Sequence, residues 1–90
     1  MTTLHLLNKP PEHGRFQRCL EAIGTDDTLV LIEAAVAAVT LDRPWPAQTL
    51  ALGSDLQARG LASSLPAQIK AVDAEGLVAL TAGHASIISW

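Results

Sequence analysis

Charged residues are scarce in this chain, and cysteines and aromatic residues are scarcer still. Asp, Glu, Lys and Arg make up 17% of its 90 residues, where a typical soluble domain has about 25%. The six basic residues are scattered and the net charge is −3, so the sequence lacks the clustered basic face of a nucleic-acid-binding protein. A single cysteine, Cys19, excludes an internal disulfide and is typical of a protein from a reducing cytoplasm.

Long apolar runs and the common chemical motifs are also missing. No stretch reaches the roughly 18 residues that a membrane helix needs, and no basic region precedes the first apolar residues, as it would in a signal peptide. The three histidines and one cysteine lack metal-ligand spacing. The sequence has no Gly-x-Gly-x-x-Gly loop, Walker lysine motif or Gly-x-Ser-x-Gly elbow. We therefore expect no membrane span, metal, cofactor or hydrolytic active site.

Apolar residues, by contrast, make up 49% of the chain. They are densest in Thr28–Val39, where Leu29–Ile32 has no polar alternation and predicts a strand covered on both faces. Asp26 and Asp27 precede this strand as turn residues, and Glu33 opens an alanine and valine segment that favours helix. A helix that is apolar all round must be covered all round. Because a small chain has little to spare for a second cover, the sequence predicts that a partner subunit covers this helix.

Five strands separated by helical patterns are predicted along the chain. The strands are Thr3–Leu7, Leu29–Ile32, Thr49–Leu52, Ile69–Val72 and Ser86–Trp90. The helices are Arg15–Ile23, which a left-handed Gly24 is expected to end, Glu33 to about Thr40, Asp55–Arg59 and Ala74–Ala82. Repeated strand-helix-strand units with right-handed crossovers predict a single domain over residues 1–90. Its fold class is α/β, a three-layer α/β/α domain with a mostly parallel sheet of about five strands.

Cys19 is the candidate catalytic residue, because it is the one thiol in the chain. Arg15 lies one helical turn before it and could stabilise a thiolate. Cys19 also shares an apolar stripe with Phe16, Leu20 and Ile23, and an unpaired cysteine in such a place is often a small buried hydrophobe. A reactive thiol and a structural residue both remain hypotheses for Cys19.

Other polar residues have mainly structural interpretations. His5 lies in the first strand, and we expect an internal histidine whose hydrogen bonds are satisfied. Asn8 and Lys9 follow that strand at its C-terminal end, where open parallel sheets build their sites, although a turn and a surface lysine are the simpler interpretation. Trp90 is expected to pack into the core or against another subunit.

Several short stretches, taken in order, resemble the TusB/DsrH family of sulfur-relay subunits. They are Leu4-His5 with Asn8-Lys9-Pro10, Cys19-Leu20, Leu31-Ile32-Glu33 with Ala37-Ala38, Leu52-Gly53 leading to Asp55-Leu56-Gln57-Ala58-Arg59-Gly60, Asp73 with Leu80-Thr81, and Trp90. The resemblance covers essentially the whole chain, and its most specific piece is the Asp-Leu-x-Ala-Arg-Gly segment. This chain departs from the family at Ala34 and Ala35, where many members carry a glycine.

The resemblance implies a cytoplasmic α/β subunit that joins sister subunits of the TusC/DsrF and TusD/DsrE types in a heterohexamer. Such a complex takes a persulfide sulfur from one small carrier protein and passes it to the next, most often for 2-thiolation of the wobble uridine in transfer RNA. The main sulfur-carrying cysteine is expected on the TusD/DsrE-type sister, so this chain would be mainly structural, with Cys19 a secondary acceptor. The alternatives are a DsrH-type subunit of a dissimilatory sulfur-oxidation relay, a direct Cys19 persulfide transferase, and a stand-alone flavodoxin-like binding module.

Overall fold

A computed structural model describes residues 2–90 and confirms the predicted α/β fold class. Its strands are β1 (Thr3–Leu7), β2 (Thr28–Leu31), β3 (Gln48–Leu52), β4 (Ile69–Val72) and β5 (Ser86–Ser89). Its α-helices are α1 (Gly14–Ala22), α2 (Gly53–Ala58) and α3 (Ala74–Gly83), and a 3₁₀ helix spans Glu33–Thr40. None of the helices within residues 2–90 has the length and apolar character needed to cross a membrane.

The strands form one parallel sheet in the order β4-β3-β2-β1-β5. The connections from β1 through to β4 step in one direction, whereas α3 leads back across the sheet and places β5 beside β1. With right-handed crossovers, α1, the 3₁₀ helix and α2 lie on one face of the sheet and α3 lies alone on the other. The two cores agree with this division, because α1, α2 and the 3₁₀ helix contribute to the larger one and Leu77 and Leu80 of α3 to the smaller.

The 3₁₀ helix is buried within its own chain, which corrects the prediction that a partner subunit covers it. Its residues Ala35, Val36, Ala38 and Val39 are at most 2% exposed. The same core takes in apolar residues from segments that carry no regular structure, namely Trp45, Leu61 and Leu65. The 3₁₀ helix contacts α2 and β3, so the chain itself supplies the second cover.

Exposed apolar side chains lie instead around α3 and β5. Val78 is 67% exposed, Ile87 47% and Ile88 42%. Ile87 pairs with Leu4 and Ile88 with His5, so these two side chains point to opposite sides of the edge strand. We call these three residues the α3/β5 face. No residue of α3 is fully buried, and every residue of β5 is exposed. Of the four large apolar side chains that are exposed in residues 2–90, three therefore belong to α3 or β5.

The end of α1 also differs from the prediction, because Gly24 is not left-handed. The helix ends through Ile23 in an extended conformation, with φ −74° and ψ 129°. The N–H of Gly24 then donates to Asp27 Oδ2 at 2.9 Å, so a side chain closes the turn. Among the glycines of the described residues, positive φ is found at Gly60, where it is 69°.

Candidate functional site

Cys19 lies in α1 with its side chain fully buried. It is 0% exposed and belongs to the larger core together with Phe16 and Leu20. Burial raises the pKa of the Cys19 thiol from 9.0 to about 12, because an apolar surrounding penalises the charged thiolate. Arg15 is exposed on the helix surface. The structure thus places the one cysteine where the thiol stays protonated at neutral pH.

A chain of hydrogen bonds runs through His5, which is 2% exposed. Asp27 Oδ2 lies 2.9 Å from His5 Nε2, and Trp90 Nε1 donates to His5 Nδ1 at 3.1 Å. The imidazole and indole rings are stacked, with their centroids 6.1 Å apart. Because an indole N–H can only donate, Nδ1 must accept, and neutral His5 carries its proton on Nε2, facing Asp27. The expectation of an internal histidine with satisfied hydrogen bonds is confirmed.

Asp27 is the polar centre of this cluster. Its carboxylate accepts from the N–H of Thr3 at 3.0 Å and the N–H of Gly24 at 2.9 Å, in addition to His5. These hydrogen bonds, above all those from Gly24 and His5, lower the pKa of Asp27 to about 2. Asp27 is therefore ionised at physiological pH and ties the start of β1 to the turn before β2. In the sequence it is distinguishable only as a turn residue.

Polar groups also meet at the C-terminal edge of the sheet. Lys9 Nζ donates to the carbonyl oxygen of Trp90 at 3.2 Å and to Asn8 Oδ1. Glu33 adopts φ 50°, a left-handed conformation that is rare outside glycine, and its N–H donates to Asp55 Oδ2 at 2.7 Å. Asn8 and Lys9 thus lie at the predicted sheet edge, where Lys9 holds the residue that follows β5.

A wide, open cavity of about 640 Å³ lies at the C-terminal ends of β3 and β4. Its polar lining consists of Ser54, Gln57 and Asp73, with no basic side chain among the lining residues. The Asp73 carboxylate caps α3 by accepting from the N–H of Gly76 at 2.7 Å. In residues 2–90 no three His, Cys, Asp or Glu side chains are grouped to hold a metal ion. The cavity therefore offers no charge complementarity for a phosphate-bearing ligand.

Comparison with known protein families gives this geometry a context. The family model described as "DsrH like protein" matches residues 9–87. The chain belongs to the DsrH-like family. Curated relatives of this DsrH-like chain include Protein TusB from Enterobacter sp. (strain 638), 31% identical over 97% of this chain and 99% of the relative. Protein TusB from Shigella sonnei is 30% identical over the same shares of both chains. The resemblance seen in the sequence is confirmed, and the chain is a subunit of the sulfur-relay type.

Two solved structures share the fold of this DsrH-like chain. The ychN protein from E. coli superposes with a TM-score of 0.77 over 99% of this chain and 97% of its own, at 14% identity. Protein Tm0979 from Thermotoga maritima superposes with a TM-score of 0.73 over 90% and 92%, at 21% identity. At these identities the likeness shows the fold alone.

Proposed function

We propose that this chain is a non-catalytic subunit of a cytoplasmic sulfur-relay complex that serves 2-thiolation of the wobble uridine in transfer RNA. Its partners are sister subunits of the TusC/DsrF and TusD/DsrE types in a heterohexamer, and small sulfur-carrier proteins reach it through that complex. The observation that carries the non-catalytic part is the full burial of Cys19. The curated relatives named Protein TusB support the branch that thiolates transfer RNA.

The chemistry of sulfur transfer explains why burial of Cys19 is decisive. A receiving thiolate attacks the terminal sulfur of the donor persulfide; a new S–S bond forms, and the bond to the donor cysteine breaks and releases that cysteine as a thiolate. The attacking sulfur must be ionised and within reach of the donor. Cys19 is 0% exposed, and the pKa of its thiol is raised to about 12. The proposal therefore assigns the sulfur-carrying step to a cysteine of the TusD/DsrE-type sister.

The surface that this chain brings to the complex is the α3/β5 face. β5, with the sequence Ser-Ile-Ile-Ser, is an edge strand without charge or proline, and natural proteins usually protect such edges. The opposite edge strand, β4, carries the exposed Lys70. Exposed apolar patches on small proteins commonly mark interaction sites. We assign contact with the sister subunits to this face, and not to the buried 3₁₀ helix.

The test is co-expression with both sister subunits, followed by native mass spectrometry of the purified assembly. Ile87→Lys is expected to abolish assembly while the circular dichroism spectrum of the isolated chain is unchanged. Leu41→Lys is the matched control, because Leu41 is also a large apolar residue, 39% exposed, but lies outside the α3/β5 face. A wild-type chain that stays monomeric and folded in the presence of both sisters would refute the proposal. Retained assembly in both Ile87→Lys and Val78→Lys would refute the choice of face alone.

A DsrH-type subunit of a dissimilatory sulfur-oxidation relay is the second candidate. The resemblance implies that members of the DsrH branch tend to carry a cysteine where this chain has Cys19 in α1, although that cysteine alone does not assign the branch. The two branches are separated by expressing the chain in a bacterium that lacks its own TusB and quantifying 2-thiouridine in transfer RNA by mass spectrometry. Restored thiolation supports the transfer-RNA branch. Absent thiolation, together with assembly on DsrE- and DsrF-type sisters, supports the oxidation branch.

A further inference from the structure

Strand β5 is fastened to the rest of the fold at its C-terminal end. The N–H of Trp90 donates to the carbonyl oxygen of Leu6 at 2.8 Å, and the carbonyl oxygen of Trp90 accepts from Lys9. The Trp90 side chain packs against the larger core, whereas every residue of β5 itself is exposed. The hydrogen bond from Trp90 Nε1 to His5 Nδ1 fixes the orientation of this indole. Of these contacts, the indole hydrogen bond is the one that depends on the protonation state of the His5 imidazole.

The hydrogen-bond pattern around His5 is compatible with its neutral form only. In the neutral form Nδ1 accepts from Trp90 and Nε2–H donates to Asp27. In the protonated form both ring nitrogens carry hydrogen, so two donors would face each other across the 3.1 Å between Trp90 Nε1 and Nδ1. The bond to Asp27 survives and becomes charge-assisted, which holds the ring in place.

We propose that His5 is a proton-sensitive latch: protonation of its imidazole releases the indole of Trp90 and loosens the C-terminal end of β5. The inference concerns the chain by itself and does not depend on the proposed function. Histidine is the side chain whose charge ordinarily changes between pH 5 and 8.

The other charged groups near His5 leave this reasoning intact. β2 and β5, which flank β1, contain no ionisable side chain. On α1, which packs on the same face, Arg15, Arg18 and Glu21 are all exposed. Asp27, next to the imidazole, remains ionised across this range because its pKa is about 2. Lys9, at the end of β1, adds a positive charge near the backbone of Trp90.

The second histidine near β5 has a different pattern and provides an internal contrast. His84 Nδ1 lies 2.7 Å from the carbonyl oxygen of Leu80, and His84 Nε2 lies 3.0 Å from Thr28 Oγ1. A carbonyl only accepts, but a hydroxyl can either donate or accept. His84 can therefore keep both hydrogen bonds whether it is neutral or protonated, so of the two histidines near β5 it is His5 that has the character of a switch.

The test is a pH titration by ¹⁵N–¹H nuclear magnetic resonance from pH 8 to pH 5, on the chain carrying Trp45→Phe. This substitution leaves Trp90 as the only indole, and it removes a Trp45 Nε1 that has no hydrogen-bond partner. We expect the Trp90 indole resonance to shift upfield with the same midpoint as the protonation of His5, read from the imidazole nitrogens.

His5→Gln in the same background is the variant that should remove the transition. Its amide oxygen can accept from Trp90 and its amide nitrogen can donate to Asp27 at any pH, so the indole resonance should stay constant. His84→Gln should leave the transition in place. The proposal is overturned if the Trp90 resonance stays fixed while His5 titrates, if His5 remains neutral down to pH 5, or if its neutral form carries the proton on Nδ1. These three outcomes are read without His5→Gln, should that variant fail to fold.

Discussion

Alkylation of Cys19 by iodoacetamide should be about a thousandfold slower in the folded chain than at a cysteine of ordinary pKa, because only the thiolate reacts. The factor follows from the rise in the pKa of the Cys19 thiol from 9.0 to about 12, which reduces the thiolate population at neutral pH about a thousandfold. The side chain is also 0% exposed, so steric protection slows the reaction further.

The assay follows the intact mass of the protein during reaction at neutral pH. The matched control is Cys19→Ser combined with Ser63→Cys, which moves the one thiol to an exposed position. In guanidinium chloride both chains should react alike, since unfolding removes the burial of Cys19. A native Cys19 that reacts within about tenfold of the Ser63→Cys thiol would refute the reasoning from burial.

The wild-type chain and Cys19→Ser together decide whether Cys19 accepts sulfur in the complex. On the assembled complex, incubation with a persulfide donor should load the cysteine of the TusD/DsrE-type sister and leave Cys19 unmodified. Replacing Cys19 with serine should leave transfer-RNA thiolation unchanged. Sulfur uptake by Cys19 at a rate comparable with that of the sister cysteine would instead support the direct persulfide-transferase hypothesis.

Two further predictions concern the strained turn after β2 and the Asp27 carboxylate. Glu33→Gly should have a free energy of unfolding in urea about 0.5–1 kcal/mol higher than Glu33→Ala. Glycine relieves the left-handed strain at φ 50°, and this gain exceeds the extra backbone entropy that glycine loses on folding. Equal stability of the two variants would contradict this. Asp27 has its pKa lowered from 3.8 to about 2, so it stabilises the fold above pH 4 and this contribution is lost as the pH falls towards 2. Asp27→Asn should remove that part of the acid-unfolding profile and Asp26→Asn should not; unchanged acid unfolding of Asp27→Asn would count against the assigned hydrogen bonds.

Local sequence pattern was sufficient to place the secondary structure. The apolar run Leu29–Ile32 predicts a buried parallel strand, and β2 is found at Thr28–Leu31 with all four residues buried. Pattern could not show that the chain itself covers the 3₁₀ helix, because the core that contains this helix also includes Trp45, Leu61 and Leu65, which come from loops without periodicity. The 3₁₀ helix therefore does not expose the apolar excess, whereas the C-terminal strand β5 does.

Only part of the candidate site could be predicted from the sequence. Burial of Cys19 could be predicted from its stripe, because Phe16 and Leu20 lie within one turn of it on α1. The hydrogen bonds of His5 could not be predicted, since its partners are 22 and 85 positions away in the sequence. They meet only because β1 pairs with both β2 and β5, which is a property of the strand order and not of any local motif.

The strand order also explains why the exposed apolar surface lies at α3 and β5. A parallel sheet of five strands is about 20 Å wide between its outer strands, and one α-helix with its side chains covers only about 10 Å. Three helical segments cover the face that holds α1, α2 and the 3₁₀ helix, except at the β5 edge where Ile88 is exposed, while α3 alone covers about half the width of the other face. Half-buried Leu6 and Ile32 on that face, and exposed Ile87 at its edge, follow directly. The most apolar segment, β2 with the 3₁₀ helix, therefore lies in the core of its own chain. The face on which α3 packs alone is the one that we expect a partner to cover.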